Sequence, residues 1–211
     1  MKIIFATGNK GKLREASEIL GPDFELVTPA ELGITDDIPE TGDTLEENSL
    51  QKARYLFERT QLPCFADDTG LEVDGLDGAP GVHSARYAAE IAEKKGHPAP
   101  SSDHDFNANM DTLLSQLEEK GPGVSRVARF RSVITLILAD GSIHRFSGSM
   151  EGRIAQCKSG TKGFGYDSLF IPDDFPRGTL GELGEEVKNE ISHRGKSLRE
   201  MAAWLHGNIK F

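Results

Sequence analysis

The chain has 211 residues, enough for one domain or for two lobes sharing a core. Its 37% hydrophobic and 27% charged residues exclude wholesale disorder, and 34 Asp+Glu against 24 Lys+Arg leave a formal net charge of -10. Such acidity argues against a nucleic-acid partner, which needs clustered basic charge, but leaves room for a small anion held by a few local cations and a metal ion.

Cys64 and Cys157 are too few for a disulfide framework or a zinc spacing. No apolar run is long enough to cross a bilayer, and the first residues lack the long apolar region of a signal peptide. A cytoplasmic protein with no membrane partner is the expectation.

In chain order, KIIFA at residues 2–6 predicts a short buried strand, and residues 7–11 a turn. A helix follows, with Leu13, Ala16, Ile19 and Leu20 on one face and Gly21-Pro22 closing it. FELV at 24–27 reads as the next strand, and the strand–helix–strand order suggests a parallel α/β unit. The strongest helix signal spans 44 to about 62, opened by a Thr44–Glu47 capping box and striped by Leu45, Ala53, Leu56 and Phe57. PCFADDTGLEVDGL predicts a strand ending in acids, a turn, and a second short strand, and GAPGVHSARYA predicts a loop. Residues 94–105, rich in Pro, Ser and charge, read as a linker, and a helix is expected from 106 to 119. A β-hairpin should turn at Asp140-Gly141, a loop and strand should follow over SGTKGFGYDSLFIP, and a final helix should run from 197 to 206.

Four groups of residues could carry chemistry. The turn TGNKGK offers backbone amides and a helix N-terminus to an anion, with Lys10 and Lys12 adding charge; it lacks the spacing and hydroxyl of a Walker A loop. Its plain alternative is a strand-to-helix turn with solvated lysines. In ADDTG, two adjacent carboxylates suggest a hard cation or acid–base work, provided that a bend at Thr69-Gly70 lets both aim at one site; otherwise the acids cap a turn. In ETGDTLEENSLQKA, Asn48 and Lys52 stand one above the other on a helix face, and Glu40 adds a carboxylate, unless the face is merely solvated. Finally, TKGFGYD could expose a flat ring for stacking a base, with a cationic His193 and Arg194 donating to its carbonyl oxygens. The alternatives there are core packing for Phe164 and Tyr166 and a surface turn for His193-Arg194. The inventory as a whole fits a nucleoside triphosphate.

Five segments in one order, FATGNKGKLRE, ETGDTLEENSLQKA, ADDTGLEVDGLDGAPGVHSARYA, GFGYD and ISHRGKSL, resemble the inosine triphosphatase family. Its members are pyrophosphatases of non-standard purine nucleotides such as dITP, ITP and XTP. The resemblance runs from Thr7 to the last helix and is poorest over residues 89–124; Thr69 stands where many members carry Ser. It implies a mixed two-lobed α/β fold with a central twisted sheet and the active site in the cleft between lobes, residues 1–211 forming a single domain of that kind, and a homodimer. It also implies cleavage between the α and β phosphates, giving the monophosphate and pyrophosphate and so clearing such nucleotides from the pool.

Carried over by position, Thr7, Gly8, Asn9, Lys10, Gly11 and Lys12 would bind the triphosphate, and Glu40 and Asp68 would hold Mg²⁺, with Asp68 also the general base. Lys52, Thr69, Phe164, Gly165, Tyr166, Asp167, Lys188, His193 and Arg194 would complete the substrate site. The phosphate turn and the metal acids can be read from the residues; the cleavage position and purine preference come from the resemblance alone. Three alternatives stand beside it: a Maf-type nucleotide pyrophosphatase with other base preference, a nucleotide-binding module without turnover, and an aspartic protease, suggested by the single Asp68-Thr69-Gly70.

Overall fold

The computed structural model describes residues 1–98, 100, 102, 105–183 and 191–209. Among the described residues there are seven strands: β1 (Lys2–Phe5), β2 (Glu25–Val27), β3 (Cys64–Val73), β4 (Pro80–Gly81), β5 (Val127–Ile137), β6 (Ile143–Ile154) and β7 (Phe170–Pro172). The helices are α1 (Lys10–Leu20), α2 (Leu45–Thr60), α3 (Tyr87–Lys95), α4 (Phe106–Glu119) and α5 (His193–Asn208). The sheet order is β2-β1-β3-β5-β6-β7, with β4 paired to β3. β1 runs parallel to β2 and β3, whereas β3–β4 and β6–β7 are antiparallel, so the fold is mixed α/β as the strand–helix–strand order suggests.

The chain divides into two compact units. The first comprises Met1–Thr69, Ser132–Ser149 and the chain from His193 onward; the second comprises Gly70–Arg131 and Met150–Ser192.

The core of the first unit follows from strand alternation. Successive side chains of a strand point to opposite faces. Ile3, Phe5 and Phe65 therefore join Ala16, Leu20, Leu198, Met201 and Leu205 of α1 and α5 in one apolar cluster. Ile4, Cys64 and Ala66 join Ala53 and Leu56 of α2 in another. A sheet covered on both faces needs near-continuous apolar strands, and KIIF and CFA are such strands. Burial pushes the Cys64 thiol up to about 12, which leaves it inert. In the second unit, Leu113 and Leu117 of α4 pack with Leu71, Val73, Ile154, Leu169 and Phe170 in a single core.

Three sequence expectations need correction. β3 is one uninterrupted strand through Asp67, Asp68, Thr69 and Gly70, with no turn at Thr69-Gly70. Part of the expected loop and linker is helix: α3 starts at Tyr87, whose side chain is buried with that of Ala88, and stops at the left-handed Gly96. The last helix begins at His193, four residues before the expected start, so His193 and Arg194 form its first turn instead of a surface turn. A glycine permits that entry, because a Cβ on Gly148 of β6 would lie 2.2 Å from the carbonyl oxygen of His193 and 2.7 Å from the amide of Ser197.

Candidate active site

Because β3 runs straight, Asp67 falls on the face of Phe65 and Asp68 on the face of Cys64 and Ala66. The two acids consequently meet different helices. Lys12 of α1 reaches both carboxylate oxygens of Asp67, Nζ to Oδ1 at 3.1 Å and to Oδ2 at 2.9 Å. Arg194 of α5 donates from Nε to the same Oδ2 at 3.1 Å, and its Nη1 lies 3.6 Å from Glu15 Oε2. Burial by itself would raise the Asp67 carboxyl, but Lys12, Arg194 and Lys52 together hold it well below the usual range.

On the other face, Lys52 of α2 lies between two acids, its Nζ 2.8 Å from Asp68 Oδ1 and 2.8 Å from Glu40 Oε1. Burial works against its charge, yet Asp68, Glu40 and Asp67 outweigh it and the ammonium is held more firmly than in water. Asp68 moves the opposite way from Asp67: burial, reinforced by Glu40, raises its carboxyl despite Lys52 and Asn48. Asn48 joins the two sides of this pocket. Its Nδ2 donates to Asp68 Oδ2 at 3.4 Å, and its Oδ1 accepts the amide of Gly42 at 2.8 Å, tying down the loop that carries Glu40. The capping box of Thr44 and Glu47 fixes where α2 begins beneath that loop.

The turn before α1 is built from its own side chains. Thr7 Oγ1 accepts the amide of Asn9 at 3.1 Å, and Asn9, the N-cap, accepts those of Gly11 at 2.8 Å and Lys12 at 3.1 Å. Gly8, Asn9, Lys10 and Gly11 remain exposed at this helix N-terminus, where an anion is favoured. Thr69, next to Asp68, has a buried hydroxyl with no hydrogen-bond partner among the described residues. A buried polar atom in that state is costly unless a ligand satisfies it.

The family model described as Ham1 family matches residues 3–204. The chain belongs to the Ham1 family. Among similar proteins, the dITP/XTP pyrophosphatase of Porphyromonas gingivalis is 47% identical over 204 residues, covering 97% of each chain. That of Christiangramia forsetii is 43% identical over 205 residues, covering 97% of this chain and 99% of the relative. The structure of the Staphylococcus aureus Ham1 protein superposes with a TM-score of 0.86 at 33% identity, covering 99% of this chain and all of the other.

Thr7, Gly8, Asn9, Lys10, Gly11, Lys12, Glu40, Lys52, Asp68, Thr69, His193 and Arg194 all lie in the first unit of this Ham1 chain, Lys12 and Arg194 meeting at Asp67, and Glu40 and Asp68 at Lys52. The structure corrects one property: His193 is not cationic. Burial, with Arg194 alongside, drives its imidazole down to about 3, so the ring is neutral at ordinary pH. Asp67 stands on the opposite face of β3 from Asp68, a separation that the expected bend at Thr69-Gly70 concealed.

Phe164, Gly165, Tyr166 and Asp167 belong to the second unit. Phe164 is 70% exposed, its ring 6.3 Å from that of Phe106. Tyr166 packs in the core and donates its hydroxyl to the Ser84 carbonyl at 2.9 Å. Asp167 accepts the Phe164 amide at 3.0 Å, and Gly165 adopts a φ of 64° that favours glycine. The tetrapeptide therefore presents one ring and uses its other members to hold it. Lys188 lies outside the described residues.

Glu40 and Asp68 are the residues that could hold a hard cation. Mg²⁺ is typically held by one or two carboxylates, with water and phosphate oxygens completing its shell, and this pair already shares one positive charge, that of Lys52. Among the described residues no group of three or more His, Cys, Asp or Glu could hold a metal, so substrate and water would have to supply the other ligands.

Proposed function

We propose that this chain hydrolyses the non-standard purine nucleoside triphosphates dITP, ITP and XTP to the monophosphate and pyrophosphate, removing them from the nucleotide pool. The observation that carries this reading is the two-faced acid pair: Asp67 bound to Lys12 and Arg194, Asp68 bound to Lys52 and Asn48, in a Ham1 chain. Relatives 43% and 47% identical over nearly their whole length bear the name dITP/XTP pyrophosphatase, which supports the substrate class.

On this reading the N-terminal turn of α1 and the ammonium of Lys12 bind the triphosphate, because amides and cations there are exposed or half-buried. Glu40 and Asp68 hold Mg²⁺, which when bound supplies charge stabilisation at the phosphates. Asp68 accepts a proton from the attacking water at its carboxylate. Lys12, Lys52 and Lys188 offset negative charge on the pyrophosphate leaving group. The exposed ring of Phe164 stacks the base. His193 and Arg194 donate to a 6-oxo group; the 6-amino group of adenine would leave such donors unpaired. Action as a homodimer in the cytoplasm completes the proposal.

The test is a substrate panel of dITP, ITP, XTP, dATP and dGTP, with Mg²⁺ or with chelator, scoring pyrophosphate against orthophosphate. The proposal expects pyrophosphate from the first three with Mg²⁺ and little from dATP. Orthophosphate release, or equal rates on dITP and dATP, would refute it.

A further inference from the structure

Asp67 is 2% exposed, carries no assigned part in the chemistry above, and holds two of the cations assigned to the substrate. Lys12 and Arg194 come from helices far apart in sequence and carry like charges. Without Asp67 they would repel, Lys12 would be free to swing into water, and Arg194 would keep, among the described residues, only its longer 3.6 Å contact to Glu15. Asp67 removes both problems, because strand β3, which lies between β1 and β5 in the sheet, places its carboxylate between Lys12 of α1 and Arg194 of α5. The serine pair Ser197–Ser132, 3.1 Å apart and buried, and the bond from Ser197 Oγ to the Arg194 carbonyl at 2.9 Å anchor the start of α5 in the same way.

We propose that Asp67 is a positioning residue, a buried strut that holds Lys12 ready for the polyphosphate chain and Arg194 ready for the base. This deepens the functional reading given above and rests on it for the identity of the substrate. A carboxylate so near these two cations could instead compete with the substrate for them, but the bonding pattern argues otherwise. Asp67 engages Arg194 through Nε, the guanidinium nitrogen nearest the stem, which leaves Nη2 to another acceptor while Nη1 lies 3.6 Å from Glu15 Oε2. Lys12 has three N–H groups, and its contacts to Asp67 use at most two of them.

The test is isothermal titration of the full-length chain with inorganic tripolyphosphate in the absence of added metal, for wild type, Asp67→Asn, Lys12→Met and the double variant, with dITP kinetics and melting curves in parallel. A strut predicts that Asp67→Asn weakens tripolyphosphate about tenfold although the variant is less negative, and raises KM for dITP by a similar factor while kcat stays within about threefold. It also predicts that the double variant binds no worse than Lys12→Met, because the two residues act as one unit. Asp67→Glu, which keeps the charge, recovers part of the affinity. Unchanged or tighter tripolyphosphate binding by Asp67→Asn would overturn the proposal, as would losses that multiply in the double variant. Should Asp67→Asn fail to fold, Asp67→Glu carries the same comparison: a longer carboxylate on a fixed strand must shift tripolyphosphate affinity, and wild-type affinity would refute the strut. If wild type binds tripolyphosphate but leaves dITP intact, the substrate reading fails and the strut is still judged by the titration.

Discussion

Asp67 and Asp68 are consecutive residues of one strand, and each is bonded to a different lysine, Lys12 for the first and Lys52 for the second. Their environments push the two carboxyls in opposite directions, Asp67 down and Asp68 up. Adjacent acids with separated proton affinities divide naturally into a permanent anion and a proton acceptor.

That division leads to the first prediction. Asp68→Asn keeps the shape of the side chain and an oxygen for Lys52, but removes the proton acceptor. The kcat on dITP should fall by about 10²–10⁴, the usual contribution of a positioned base, while the fold persists because Glu40 still faces Lys52. A variant that melts normally and works within a few-fold of the parent would disprove the role of Asp68.

The helices α1, α2 and α4 and the β5–β6 hairpin were legible in the sequence because they carry local signals: a cap, a capping box, a 3.6-residue stripe, an Asp-Gly turn. The straight run of β3 was not. Thr69-Gly70 has the chemistry of a turn, but Leu71 and Val73 are buried in the second unit's core, and that tertiary gain holds the backbone extended through the glycine. The early start of α5 was hidden for a similar reason, since it depends on the gap above Gly148, nearly fifty residues away in sequence. For the candidate site, residue types and spacing identified the acids and amines. Which acid meets which amine required the parity of a strand whose continuity no local signal reveals.

Lys52→Met supplies a second prediction. The substitution leaves Asp68 and Glu40 facing each other without the cation they share, and breaking such a pair should cost about 3 kcal/mol, less to the extent that the half-exposed Glu40 can turn to water. The same change empties the place of a competing positive charge. Mg²⁺ should therefore raise the melting temperature of Lys52→Met more than that of wild type, by the mass-action stabilisation of a ligand that binds only the folded state. Equal shifts in a melting-temperature titration with Mg²⁺ would count against Glu40 and Asp68 as the metal-binding pair.

Gly42→Ala probes the loop that carries Glu40. An added Cβ would stand 2.6 Å from Glu47 Cβ and 2.9 Å from Asn48 Oδ1, the atom that accepts the Gly42 amide. Relief requires the loop to lift, at a cost of about 1–3 kcal/mol typical of overpacking. Because Glu40 lies two residues away, the Mg²⁺ concentration for half-maximal activity should rise while KM for dITP changes less. A variant with wild-type stability and wild-type Mg²⁺ response would show that the loop does not set the position of Glu40.

His193 predicts how stability depends on pH. Its imidazole is lowered from the ordinary 6.5 to about 3, chiefly by burial and then by Arg194, with Lys12 and Lys196 adding to the effect and Asp67 opposing it. Between those values the unfolded chain binds a proton at this residue and the folded chain does not. The stability involved is therefore complete above pH 6.5 and is lost as pH falls toward 3, by about 1.4 kcal/mol per pH unit at most. His193→Gln removes the titration, whatever its fixed cost to packing. Urea unfolding of both proteins at several values between pH 7 and pH 4.5 should show wild type losing stability faster than the variant once pH drops below 6.5. The acids, Asp67 included, titrate in both proteins and drop out of the difference. If the two stability curves run parallel across that interval, His193 takes up its proton in the folded state and the neutral imidazole assigned to the start of α5 is wrong.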